Sequence, residues 1–191
     1  MDLSKGLAII TTSAPERPME VKLWEFDVSR DVFAETFEDA YCGDFFTPLV
    51  TLKPAADLPK LYPRFAPSLV PPEFVTFENR CGTNLEMCVY MPDSRVHQKP
   101  YPVIVSVYGG PHVQRVARNW GVTNDLRAQR LRDAGYVVAR VDGRGSARRG
   151  VAFETSIKDD LGNLEVEDQA DAVEFLVHKF HGDADRVGIY G

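Results

Sequence analysis

Tyr108 is the side chain whose position in this sequence most directly suggests chemistry. It closes the apolar, β-branched run from Tyr101 to Val107 and is followed at once by Gly109, Gly110 and Pro111. A run this short reads as a strand buried on both faces, and the Gly-Gly-Pro stops it. The phenol therefore stands at a strand's carboxyl end, the edge where open parallel sheets bind ligands. With an ordinary pKa of about 10, a phenol stays protonated at neutral pH and can donate a hydrogen bond to a developing negative charge.

Other residue groups invite a chemical reading and support it less. Gly143, Gly145 and Gly150 follow a strand, but their spacing is G-x-G-x-x-x-x-G and no helix opens at once, so a dinucleotide site is not expected. No phosphate-binding P-loop is present. His178 and His181, with Asp183 and Asp185 close by, could suggest a metal, yet a solvated helix terminus accounts for them. Glu165, Glu167 and Asp168 could suggest paired acid and base carboxylates and read instead as helix-dipole partners and packing anchors. No cofactor and no metal is therefore expected. Ser106 falls inside a strand, and Ser146 sits in a turn without the flanking glycines of a nucleophile elbow.

These residues hang on a regular alternation of elements. Phe74 to Phe77 and Leu85 to Met91 alternate apolar and polar residues across the turn Cys81-Gly82-Thr83-Asn84, which predicts an antiparallel pair. The strand before Tyr108 follows, then an amphipathic helix from about Thr123 to Ala134, closed by Gly135. Tyr136 to Val141 is a second buried strand. A second helix begins after Gly162-Asn163, with acidic residues in its first turns and His178 and Lys179 in its last. Its expected buried stripe is Val166, Ala170, Val173, Val177 and Phe180. Arg186 to Tyr190 is the last strand. Strand, helix, strand, helix, strand implies a parallel α/β sheet with right-handed crossovers.

The amino-terminal part has another texture. Leu7 to Thr12 and Met19 to Phe26 read as a β-hairpin around a turn with two prolines. A hairpin is not stable alone, and no matching strand is expected elsewhere in the chain. Residues 27 to 47 are acidic and aromatic without a clean period. From Pro48 to Pro72 seven prolines remove amide donors and disfavour helix, which predicts an extended connector.

Bulk composition narrows the class. At 44% hydrophobic and 26% charged, the 191 residues suit one sizeable core, or one domain with part of another. A net charge of -6 argues against nucleic acid or an anionic membrane surface as the main partner. No apolar run is long enough to span a bilayer, and the first residues lack the basic region and long apolar core expected of a signal peptide. Cys42, Cys81 and Cys88 are odd in number without metal-like spacing, which fits a reduced, cytoplasmic compartment.

The order of strands points to hydrolysis. In an α/β-hydrolase, two antiparallel strands lead into a parallel sheet, and the nucleophile sits in G-x-S-x-G after the fifth strand. The strands starting near Phe74, Leu85, Tyr101, Tyr136 and Arg186 make five, and Gly191 could open that motif. Tyr108 then lies on the loop that supplies an oxyanion-hole donor in this fold.

Val107-Tyr108-Gly109-Gly110-Pro111, Val141-Asp142-Gly143-Arg144-Gly145-Ser146, Leu161-Gly162 through Glu165-Val166-Glu167-Asp168-Gln169, and Arg186 through Gly191 occur in order. Together they resemble the prolyl oligopeptidase family of serine peptidases, on its dipeptidyl peptidase IV branch. Gly-Gly-Pro-His-Val-Gln is closest to the cytosolic dipeptidyl peptidases of the eight/nine type. The resemblance is specific over residues 73 to 191 and weaker before them. It implies a β-propeller capping an α/β-hydrolase domain. Residues 1–47 would be the end of the last propeller blade, 48–72 a proline-rich linker, and 73–191 the N-terminal half of the hydrolase domain, ending before the nucleophile elbow. It implies peptide substrates with a free N-terminus, cleaved after proline or alanine in second place. A homodimer is expected for the full-length protein.

Tyr108 matches the family's oxyanion tyrosine, and Gly191 the glycine opening Gly-Trp-Ser-Tyr-Gly-Gly. The serine, aspartate and histidine of the triad would lie beyond Gly191, since His97, His112, His178 and His181 precede the serine. The chain by itself is thus expected to be inactive. Two alternatives share the scaffold: a relative without the serine, acting as a binding or regulatory subunit, and an acyl-peptide hydrolase or carboxylesterase.

Overall fold

The computed structural model describes residues 6–26, 46–61, 63 and 68–191. The chain divides into two compact units, residues 1–66 and 67–191. The acidic, aromatic stretch of residues 27–45, Cys42 with it, lies outside the described residues.

In the first unit the hairpin forms as β1 (Leu7–Ala14) and β2 (Arg17–Phe26), antiparallel, with Leu7 opposite Glu25 and Thr12 opposite Glu20. The turn narrows to Pro15 and Glu16, so both strands run longer than the proline positions suggested. A third strand, β3 (Phe46–Lys53), pairs antiparallel with β2, giving the order β1-β2-β3. This corrects two expectations. The hairpin does have a partner strand in the chain, and residues 48–53 belong to a sheet and not to an extended connector. Pro48 is tolerated because β3 is an edge strand, where a missing amide donor can face away from the ladder. A single helical turn, α1 (Leu58–Leu61), follows.

The second unit is a five-stranded sheet in the order β4-β5-β7-β6-β8. Its strands are β4 (Glu73–Glu78), β5 (Asn84–Tyr90), β6 (Tyr101–Ser106), β7 (Val137–Asp142) and β8 (Gly182–Tyr190). β4, β5 and β7 pair antiparallel, whereas β6 pairs parallel with both β7 and β8. β7 is central and every one of its residues is buried, as an apolar run covered on both faces requires.

The helix predicted from about Thr123 to Ala134 is α3 (Leu126–Asp133), and a single unpredicted turn, α2 (Trp120–Thr123), precedes it. Asp125 divides them. Its carboxylate accepts from the amides of Arg127 and Ala128 and caps α3, so the helix starts three residues later than periodicity suggests. After β7 come a short helix, α4 (Val151–Glu154), and the long α5 (Leu164–Phe180). Leu85, Met87, Val103, Val137 and Ala139 pack on one face of the sheet with Ala172, Leu176 and Phe180 of α5. On the other face Cys88, Tyr90 and Val138 meet Ala128. Burial pushes the Cys88 thiol up to about 11, and it raises the Tyr90 phenol, which donates to the Val122 carbonyl at 2.6 Å.

The buried face of α5 is rotated from the expected stripe. Val166 is 57% exposed, and Ala170 is exposed too, whereas Asp168, Asp171, Ala172, Leu176 and Phe180 are buried. Phe180 of the expected stripe is buried and Val173 packs against the core, but two carboxylates hold the rest of the inner face, so a pattern that counts only apolar residues is turned part of the way round the helix.

Gly182 begins β8 where α5 meets β6. A Cβ there would stand 2.6 Å from Val103 Cγ2 and 3.2 Å from the Leu176 carbonyl oxygen, and Val103 is fully buried. Gly182→Ala is expected to destabilise the fold by about 1–3 kcal/mol through overpacking. Urea denaturation measures this, and a variant as stable as the parent would contradict the packing described.

Candidate active site

β6 ends at Ser106, but its pairing continues: the Val107 amide donates to the Tyr190 carbonyl at 2.8 Å. Tyr108 follows at the carboxyl edge of the sheet and is 54% exposed. Gly109 turns the chain in the left-handed region at φ 71°. Gly110 leaves the ring its space, since a Cβ there would lie 2.9 Å from Tyr108 Cε1 and 3.4 Å from its hydroxyl. The phenol thus lies over a residue with no side chain. Tyr108, Gly109, Gly110, Arg115, Asp142 and Ile189 line a cavity of about 340 Å³.

The loop from Val107 to Asn119 is tied down at several points. His112 donates its amide to the Gly145 carbonyl at 2.9 Å, and its Nδ1 lies 3.2 Å from Glu154 Oε2. Glu154 Oε1 accepts from the Arg148 amide at 2.9 Å. Those two partners, Arg148 first and His112 second, hold the Glu154 carboxyl below the usual range. Asp142, the last residue of β7, accepts from the Arg115 amide at 2.7 Å and the Val116 amide at 3.1 Å, one on each oxygen. Burial pushes its carboxyl up, against the pull of those two bonds. The Arg115 guanidinium reaches back to Ser106 Oγ at 3.1 Å and closes the loop on itself.

Behind this edge sits a buried charge cluster. Asp168 is fully buried and accepts from Asn79 Nδ2 at 2.8 Å and from the Arg144 amide at 2.6 Å. Arg144 Nη2 pairs with it at 2.9 Å. Asp171 takes Arg80 in the same manner, with the amide at 2.9 Å and Nε at 2.7 Å. Asn79 Oδ1 accepts from the Cys81 and Thr83 amides and so holds the β4–β5 turn.

The residues singled out in the sequence fall into place as follows. Tyr108 and Gly143 line the cavity, and so does Glu165. Gly145 packs against Ile157, and Gly150 precedes α4. Glu167 is 3.5 Å from Arg144, and Asp168 is the buried anchor. His178 faces Glu174 at 3.9 Å, while His181 is the left-handed cap of α5 at φ 56°. Asp183 holds Arg186 at 2.7 Å and so is not drawn toward the histidines. Ser146 is buried and donates to the Gly143 carbonyl at 2.7 Å, and Ser106 accepts from Arg115. His97 lies 3.0 Å from the Asp133 carbonyl. Sequence reasoning missed Asp142, Arg115, Asn79 and the Arg80–Asp171 pair. Their partners are backbone amides or side chains distant in sequence, which no local spacing reveals.

Residues 122–191 match the model of the prolyl oligopeptidase family. The chain is 37% identical over 126 residues to dipeptidyl peptidase 8 of Homo sapiens, which covers 65% of this chain and 14% of that protein. It is 33% identical over 110 residues to the probable dipeptidyl-aminopeptidase B of Botryotinia fuckeliana, covering 58% of this chain and 12% of that one. Dipeptidyl peptidase 4 of Porphyromonas gingivalis superposes with a TM-score of 0.73 at 27% identity, over 97% of this chain and 23% of that chain. The chain is similar to the prolyl oligopeptidase family, on its dipeptidyl peptidase IV branch, and its residues 122–191 carry that family's match. It spans only a small part of the length of the curated relatives it matches, 14% and 12% in these two cases.

Two outcomes test this geometry. Gly110→Ala should turn the Tyr108 ring away from its present position in a crystal structure of the variant, and an unmoved ring would contradict the cradle. The Arg80 guanidinium holds the Asp171 carboxyl below its ordinary value, so this stabilisation is present above the unfolded pKa of about 3.9 and lost as pH falls through the folded value. Arg80→Gln should therefore be less stable than the parent near neutral pH, with the gap closing below about pH 4. A gap independent of pH in denaturant titrations would overturn the pairing.

Proposed function

We propose that this chain is part of a serine-type dipeptidyl peptidase and that Tyr108 donates the hydrogen bond that stabilises the oxyanion. The exposed phenol over Gly110, on a cavity at the carboxyl edge of the parallel sheet, is the observation that carries the reading. Among the described residues, the serines near that edge are not free to attack: Ser106 and Ser146 are both buried and hydrogen-bonded. The attacking serine is assigned two positions past Gly191, with its aspartate and histidine further on, and the 191 residues alone are inactive.

The reaction is acyl transfer through a covalent enzyme intermediate. Serine attack turns the scissile carbonyl tetrahedral, and a donor fixed in advance binds the new negative charge more tightly than it binds the ground-state carbonyl. One such donor contributes about 3 kcal/mol to the transition state. Substrates are peptides with a free N-terminus and proline or alanine in second place. The strands through Lys53 form the end of a propeller blade, the residues from Pro54 to Pro72 the passage to the next domain, and 73–191 the first half of the hydrolase domain. Among the described residues Cys81 and Cys88 are free, which supports a cytoplasmic setting, and the full-length enzyme is a homodimer.

In the full-length protein the residue two past Gly191 should be a serine that a fluorophosphonate labels covalently. Tyr108→Phe should lower kcat on a Gly-Pro chromogenic substrate on the order of 100-fold while KM changes little. An unlabelled protein favours the non-catalytic relative, and an unchanged kcat reduces Tyr108 to packing. Faster cleavage of blocked than of free N-termini favours an acyl-peptide hydrolase.

A further inference from the structure

We infer that Asp142 is the positioning residue that sets the oxyanion donor, an inference that rests on Tyr108 being that donor. Asp142 ends the buried central strand and is itself 3% exposed, so it is a fixed point of the sheet. Its two oxygens take the consecutive amides of Arg115 and Val116, at 2.7 and 3.1 Å. Those amides lie on the same loop as Tyr108, seven and eight residues on. The start of the loop is held by the Val107 amide on Tyr190 and its middle by the His112 amide on Gly145. Arg115 then bonds back to Ser106 and joins the loop's far end to the strand from which it sprang. The segment from Tyr108 to Pro111 is thus a short span between the held amides of Val107 and His112, and Asp142 anchors the loop just beyond His112, so the phenol's height over the cavity depends on where Asp142 holds Arg115 and Val116.

The chemistry of the clamp requires a carboxylate. Both facing groups are N–H donors, and two acceptor oxygens are needed to satisfy both at a side chain only 3% exposed. Asn at this position would aim an amide donor at one of them. That end of the loop would have to move away, and displacements near 1 Å in a catalytic constellation cost on the order of 100-fold in rate.

The test is a double-mutant cycle in the full-length enzyme, with kcat and KM on the Gly-Pro chromogenic substrate for the parent, Asp142→Asn, Tyr108→Phe and the double variant. Asp142→Asn is expected to lower kcat roughly 10- to 100-fold with KM within about threefold. Adding it to Tyr108→Phe should cost less than about threefold more, because the group it positions is already gone. A parental kcat in Asp142→Asn, or losses that multiply in full, overturns the inference. Where Asp142→Asn melts well below the parent, Asp142→Ser replaces it, being smaller and keeping one acceptor oxygen. An intermediate loss of kcat that vanishes with Tyr108→Phe then supports the inference, and a parental kcat overturns it. An unaffected Tyr108→Phe is a separate result: it removes the oxyanion reading itself, whatever Asp142 does.

Discussion

A carboxylate taken fully out of water must be met by donors on every side, and Asp168 is that carboxylate here. Asn79 reaches it from the β4–β5 turn, and Arg144 reaches it from the loop after β7 with both its amide and its guanidinium. The group itself stands on α5. Three elements distant in sequence are therefore brought to one point, and each is oriented by a hydrogen bond as well as by packing. Gly143 is drawn into the same arrangement, since a Cβ there would stand 3.2 Å from the Asp168 carboxylate.

From that point the loop after β7 takes its course, and the next loop takes its course from it. Gly145 offers its carbonyl to His112, and Glu154 bridges His112 and the Arg148 amide. Asp142, one residue before Gly143, clamps the far end of the loop that carries Tyr108. Two carboxylates thus act in series. One fixes the β7 loop against helix and turn, and the other fixes the β6 loop against β7. A hydrogen-bond donor that must stand ready for a transient charge benefits from this rigidity, because no reorganisation is then needed when the charge forms.

Much of this was legible in the sequence wherever hydrophobic period and turn chemistry agreed. All five strands of the larger sheet begin within a few residues of the expected positions, and their mixed antiparallel and parallel pairing follows the hydrolase order. The strand β3 was hidden because prolines argue against sheet, an argument that fails at an edge. The face of α5 was misjudged because its buried side is held partly by Asp168 and Asp171, which no apolar pattern counts. The predicted helix starts late because the Asp125 carboxylate serves as its cap. Tyr108 could be singled out from Gly-Gly-Pro alone. Asp142 could not, because a carboxylate bonded to two backbone amides leaves no mark on the residue types of its partners.

The most direct measurement is a crystal structure of the full-length protein with a dipeptide boronic acid bound to its serine. The boronate is tetrahedral and negatively charged, so one of its oxygens stands in for the oxyanion. The Tyr108 hydroxyl is predicted within about 2.7–3.1 Å of that oxygen, with the ring still lying over Gly110 and the Arg115 and Val116 amides still on Asp142. A hydroxyl beyond about 3.6 Å, with another donor in its place, would contradict the account.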